Sequence, residues 1–274
     1  MALGNTAQRV IVALITIPLI IALSYFGKIY FFIFAAGIGL ISYYEFHLLA
    51  KNKGVFTHLT PGLIAILSIL IGSYYHITSF YSLLIIIVLV VLLVELFRKK
   101  GSAIHNIGAT LLGIMYPGLF TSALISIREI YSTSADLYNQ GGYIIIAVLA
   151  SIWVCDSAAF FFGVRFGKHK LFPRISPKKS WEGAIAGFVF SVLIMIAAKF
   201  IVLEFLQWTT IIAFGIIVGI IGQIGDLVES MLKRDAGVKD SSALIPGHGG
   251  IFDRFDSLLY TAPVIFIYLK FIAL

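Results

Sequence analysis

Nine times along this 274-residue chain a continuous apolar run of about 20 residues recurs, near 10–27, 29–49, 60–77, 79–97, 107–127, 143–164, 183–203, 208–225 and 257–273. A run of that length matches the roughly 30 Å hydrocarbon thickness of a bilayer when wound as a helix. Lipid offers the backbone no hydrogen-bond partners, so each run must satisfy its own amides and carbonyls. A transmembrane barrel would instead show alternating segments of about 10 residues. The balance of side chains agrees: 60% are hydrophobic and 12% charged, and the mean hydropathy is +1.02. A soluble domain would carry about twice that charged fraction. The expected fold is therefore an all-α integral membrane protein with about nine transmembrane helices. The first run follows Arg9 without a small-residue cleavage pattern and reads as a retained helix. Cys155 is the single cysteine, which excludes an intrachain disulfide.

The net charge of +7 bears on topology rather than on nucleic acid. All but four of the 20 basic residues fall at the N-terminus or in the connections after the second, fourth, sixth and eighth runs. Lys28, Arg128, Lys199 and Lys270 are left for the other side. The positive-inside rule then predicts a cytoplasmic N-terminus and a C-terminus on the opposite side. The chain thus divides into two regions: residues 1–142 with five spans, and residues 143–274 with four spans and two long cytoplasmic loops, 165–182 and 226–256. No internal repeat is evident, which argues against the inverted-repeat design of many transporters.

The polar residues concentrate in those two loops. Asp253 and Asp256 stand three apart, as do Asp226 and Glu229. On a helix that spacing puts both carboxylates on one face. Carboxylates at a membrane boundary are costly unless paired or metal-bound, and clustered oxygens without cysteine favour a hard cation, Mg²⁺ or Ca²⁺, over zinc. Gly247, Gly249 and Gly250 flank His248 and leave backbone N–H groups open to a ligand. If Gly250 leads into a helix, those N–H groups form an anion site. In the other loop SPKKSWE, Ser176, Lys178, Lys179 and Ser180 suggest a constrained phosphate-binding turn. Together these make a phosphoryl-transfer kit, with neither a Walker A nor a kinase glycine loop. Asp156, alone inside the sixth run, is a candidate by its position in lipid. Glu45 and Glu95, with Lys or Arg nearby, read as structural.

Residues 230–256, SMLKRDAGVKDSSALIPGHGGIFDRFD, resemble the signature of the phosphatidate cytidylyltransferase family. Ser230, Lys233, Arg234, Lys239, Asp240, Pro246, His248, Gly249, Gly250, Asp253, Arg254 and Asp256 occupy its fixed positions. The stretch from Asp156 through SPKKSWEG is similar to the family as well, with Ser157, Phe160 and Ser180 where relatives often have Thr, Tyr and Thr. The resemblance implies that CTP and phosphatidic acid give CDP-diacylglycerol and pyrophosphate, for phospholipid biosynthesis. It also implies a homodimer with the active site facing the cytoplasm, a Mg²⁺ centre, and a monovalent cation such as K⁺ as a candidate second ion. The absence of an organelle-targeting segment, together with the short length, points to a bacterial inner membrane. Asp226 and Asp253 carry over as metal ligands, with Asp256 in or beside the centre, and Asp156 and Lys179 as required polar residues. Lys178, Lys179, Lys233, Arg234 and Arg254 are the expected charge-neutralising groups, Lys239 a further substrate-binding candidate, and His248, Gly249 and Gly250 the expected phosphate-orienting loop. The competing readings are a CTP-dependent polyprenol kinase and a cation-coupled transporter.

Overall fold

The computed structural model describes residues 5–77, 79–132, 134–244 and 249–273, with side chains described from residue 12 onward. Among the described residues the regular elements are helices and one short hairpin. The helices are α1 (Asn5–Phe26), α2 (Lys28–Asn52), α3 (Leu59–Tyr74), α4 (Phe80–Leu96), α5 (Ala103–Arg128), α6 (Tyr138–Phe166), α7 (Trp181–Ile201), α8 (Trp208–Asp235) and α9 (Ile251–Ala273). Strands β1 (Lys170–Phe172) and β2 (Ser176–Ser180) pair antiparallel between α6 and α7. Among the described residues six helices, α2 and α5 to α9, are long and apolar enough to cross a membrane, and the apolar stretches of α1, α3 and α4 are shorter. The chain is a multi-pass membrane protein.

Both loops expected from the sequence are shorter than predicted. Helix α8 runs ten residues past the expected span end, to Asp235, and α9 begins at Ile251 rather than near 257. Asp226, Ser230, Lys233, Arg234, Asp253, Arg254 and Asp256 are therefore helical residues. The apolar pattern marks where lipid ends, whereas a helix continues as long as its polar end finds hydrogen bonds.

The chain divides into two compact units. The first comprises residues 1–23, 28–126 and 232–255, and the second residues 24–27, 127–231 and 256–274. Within the first unit α2 lies against α3 so closely that a Cβ on Gly62 would meet the Tyr43 hydroxyl oxygen at 2.0 Å. That hydroxyl donates to the His58 carbonyl at 2.8 Å. A buried polar network joins the ends of α3, α4 and α5. His58 Nε2 lies 2.6 Å from Glu95 Oε2, and Arg98 Nη2 lies 2.8 Å from His58 Nδ1. Asn106 donates to Glu95 Oε1 at 2.8 Å, and the His58 amide donates to Thr110 at 3.0 Å. A guanidinium can only donate, so His58 Nδ1 accepts and the ring proton sits on Nε2, facing the carboxylate. Glu95, with Arg98 Nε at 3.5 Å, has the structural role that its basic neighbours suggested.

Within the second unit glycines set the packing distance. A Cβ on Gly183 of α7 would stand 2.5 Å from the Ala159 carbonyl of α6, and one on Gly187 would stand 3.0 Å from that of Cys155. Small residues of this kind let helix backbones approach in lipid. Helices α8 and α9 meet in the same way: a Cβ on Gly225 would lie 2.6 Å from Tyr260 Cβ and 2.9 Å from the Asp256 carbonyl. Arg128 is fully buried and donates to the carbonyls of Ser24, Tyr25 and Tyr138, closing the end of α1.

Candidate functional site

In the second unit the hairpin delivers Lys179. Register pairs Lys170 with Ser180 and Phe172 with Ser176, so β2 ends at the first turn of α7. Ser180 is the N-cap of α7, and its buried hydroxyl accepts from the Gly183 amide at 3.3 Å. A serine hydroxyl at this position satisfies one of the orphan donors of a helix start. Ser180 thus caps α7. The adjacent Lys179 reaches α8, and its Nζ donates to Asp226 Oδ2 at 2.5 Å. Asp226 Oδ1 accepts from Ser230 one turn on, at 3.3 Å. Just before Asp226, residues Val218–Gly222 form a π-helical turn. Such a turn inserts an extra residue into the helix and re-aims the side chains beyond it. Both partners of this pair remain about a third exposed, at 28% and 33%. Asp256 belongs to the same unit, on α9 beside Gly225, and its Oδ1 accepts from the Ser257 amide at 2.6 Å.

In the first unit a second aspartate meets a second lysine. Lys233 Nζ donates to Asp253 Oδ1, and the two side chains are only 11% and 6% exposed. Asp253 Oδ2 stands 2.8 Å from the Ser241 hydroxyl and accepts two more bonds, from the Ser241 amide at 2.9 Å and the Gly250 amide at 2.8 Å. Gly250 precedes the first residue of α9 and Asp253 is the third helical residue, so this last bond is half of a capping box. Gly249 has φ +81°, and a Cβ there would lie 2.8 Å from Asp253 Oδ2. Only glycine suits that conformation and that approach.

The helix at Gly250 is present, as expected, but its amides already hold an anion. Ile251 N donates to Glu45 Oε1 at 3.0 Å and Phe252 N to Glu45 Oε2 at 2.7 Å. A Cβ on Gly250 would fall 2.5 Å from both Glu45 oxygens. The ligand for which this glycine makes room is the protein's own carboxylate. Sequence reasoning assigned Glu45 only a structural pairing with nearby basic residues. Its signal was weak: a lone glutamate in an apolar helix, about 200 residues from its partners.

Lys178, Lys239 and Arg254 are exposed. Arg234 is exposed and donates to the Val238 carbonyl at 2.8 Å. Ser176 is half-buried within β2. Asp156 lies on α6 with its side chain exposed, and its neighbour Ser157 donates to the Trp153 carbonyl at 2.7 Å. His248 lies outside the described residues. Among the described residues no group of three or more His, Cys, Asp or Glu side chains is gathered tightly enough to hold a metal. The carboxylates of Asp226 and Asp253 nonetheless offer all-oxygen donors, each now facing a lysine ammonium. Such donors suit a hard divalent cation.

Residues 7–272 match the cytidylyltransferase family. A phosphatidate cytidylyltransferase of Synechocystis sp. is 33% identical over 291 aligned positions, covering 95% of each chain. One from Staphylococcus aureus (strain COL) is 32% identical over 272, covering 97% of this chain and 98% of the relative. Another, from Staphylococcus haemolyticus, is 44% identical over 145, which is 53% of this chain and 54% of the relative.

Proposed function

The chain belongs to the cytidylyltransferase family and transfers the cytidylyl group of CTP to phosphatidic acid, giving CDP-diacylglycerol and pyrophosphate; we propose that its two lysine–aspartate pairs are the working groups of that reaction. The observation that carries this assignment is the placement of Lys179 on Asp226 and of Lys233 on Asp253.

The lipid phosphate attacks the α-phosphorus of CTP, the bond to the β-phosphate oxygen breaks, and pyrophosphate leaves. The nucleophile is already an anion, so the reaction needs no strong general base. It needs positioning and neutralisation of charge. Lys179 and Lys233 supply cationic donors at defined places, and Lys178, Arg234, Lys239 and Arg254 supply a basic surround. His248, Gly249 and Asp256 join the set through the sequence motif they share with Asp253. Asp226, Asp253 and Asp256 are the residues that would hold Mg²⁺, with K⁺ as a second ion. Bound Mg²⁺ neutralises charge on the triphosphate. Asp156 completes the set as a polar residue on α6.

The protein crosses the bacterial inner membrane nine times in this reading, with the N-terminus and both polar segments on the cytoplasmic side, and it works as a homodimer. Phosphatidate keeps its acyl chains in the bilayer, and CTP arrives from the cytoplasm. The test uses purified protein in detergent–phosphatidate micelles with Mg²⁺ and CTP labelled separately at the α- and γ-phosphates. Entry of the α-label into lipid and release of the γ-label as pyrophosphate is expected. Entry of the γ-label into lipid, with CDP released, would overturn the reaction and indicate a kinase.

A further inference from the structure

Glu45 is 1% exposed on α2, and its carboxylate accepts four hydrogen bonds from the segment leading into α9. Oε1 accepts from the Ser242 hydroxyl at 2.6 Å and the Ile251 amide at 3.0 Å. Oε2 accepts from the Ser241 hydroxyl at 2.9 Å and the Phe252 amide at 2.7 Å. The Ser241 hydroxyl also stands 2.8 Å from Asp253 Oδ2. It therefore links the buried glutamate directly to the aspartate that holds Lys233.

We infer that Glu45 is a positioning residue for the transfer reaction: it fixes Ser241, Ser242, Ile251 and Phe252 and thereby the direction of the Asp253 carboxylate. Three features carry this. The first two amides of α9 would be orphan donors, and Glu45 satisfies both. A negative charge at a helix N-terminus is favoured by the helix dipole, so Glu45 and the start of α9 stabilise each other. Gly250 has no Cβ, and any side chain there would strike Glu45 and Ser241 Oγ, the latter at 2.1 Å. Glycine at 250 and glutamate at 45 thus form one lock, although α2 and α9 lie far apart in sequence. The inference rests on the proposed role of Asp253.

The test compares the wild type with Glu45→Gln, Glu45→Ala and Ser242→Ala in micelles. Four quantities are read: kcat per folded enzyme, KM for phosphatidate, the Mg²⁺ concentration giving half-maximal rate, and amide exchange of residues 241–253. Gln keeps one acceptor oxygen but turns an NH₂ toward two donors. Glu45→Gln is expected to fold with a lowered melting temperature, because two buried donors lose their acceptor, which is why kcat is read per folded enzyme. Its kcat should fall, or its Mg²⁺ requirement rise, on the order of 10–100-fold, as for supporting residues around functional carboxylates. KM for phosphatidate should not change, and the amides of 250–252 should exchange faster. Glu45→Ala should be worse. If it does not fold, Ser242→Ala, which removes one of the four donors, is expected to show the same changes on a smaller scale. Wild-type kcat and Mg²⁺ dependence in Glu45→Gln, or unchanged exchange at 250–252, would overturn the inference. Failure of the wild type to move the α-label would instead sink the parent reaction, and the exchange data would still test the hold of Glu45 on the segment.

Discussion

Replacing Asp253 with Asn should do two separable things. Asp253 and Lys233 are nearly inaccessible, at 6% and 11% exposure. Removing one partner of a buried ion pair leaves an uncompensated charge and costs about 3–5 kcal/mol. The asparagine oxygen can still accept from Ser241 and Gly250, but its NH₂ then faces the Lys233 ammonium, donor against donor. Asp226 and Lys179 are about a third exposed, where water compensates a lost partner and an ion pair is worth only about 0.2–1 kcal/mol. Asp226→Asn should therefore lose turnover with little loss of stability, whereas Asp253→Asn should lose both. At roughly 2–4 °C per kcal/mol for a chain of this size, a loss of about 3 kcal/mol lowers the melting temperature by roughly 6–12 °C. Cys155, buried and the single cysteine, provides the assay: a thiol-reactive fluorogenic dye in detergent reports unfolding as that thiol becomes accessible. The double variant Lys233→Met/Asp253→Asn removes the ammonium together with the carboxylate, and should recover most of the stability and none of the turnover. Equal melting temperatures for Asp226→Asn and Asp253→Asn, or no recovery in the double variant, would refute the reasoning. So would near-normal turnover in either single variant.

Three further outcomes are expected. His58 is held below its ordinary pKa by burial first and by the Arg98 charge second, with Glu95 opposing both. The folded state holds His58 neutral while the unfolded chain takes up a proton near pH 6.5, so stability is full above about pH 6.5 and declines as pH falls below it. Melting curves between pH 7.5 and 5.5 should fall more steeply for the wild type than for His58→Gln, and parallel curves would remove His58 from the account. Gly225→Ala should push α8 from α9 through Tyr260 and the Asp256 carbonyl, costing about 1–3 kcal/mol and depressing cytidylyl transfer; a fully active, equally stable variant would contradict that contact. In a Cys155→Ser background, cysteines at positions 100 and 170 should react with a membrane-impermeant maleimide only from the cytoplasmic face, and those at 136 and 204 only from outside. Any exchange of sides would break the nine-crossing topology.

The helices and the region of the candidate site were legible in the chain itself. An apolar run of about 20 residues has one way to satisfy its backbone in lipid, so α2 and α5 to α9 are dictated by local composition. The segment around Asp253 was equally readable, because polar residues in a chain this apolar are costly and therefore placed for a reason. Contacts between distant parts of the chain were not readable. Lys179 and Lys178 are adjacent with the same charge, and only the antiparallel register of β1 and β2 and the cap at Ser180 decide which of them reaches Asp226. Residues 232–255 come after α8's apolar run in sequence yet pack in a unit with the N-terminal helices. The start of α9 at Ile251, six residues ahead of its apolar run, depends on Glu45 for two amides and on Asp253 for a third. Hydrophobic periodicity is a property of neighbours along the chain, and it says where a helix lies in the membrane. The partner of a buried charge is chosen by distance in space, and for Glu45 that partner lies about 200 residues away.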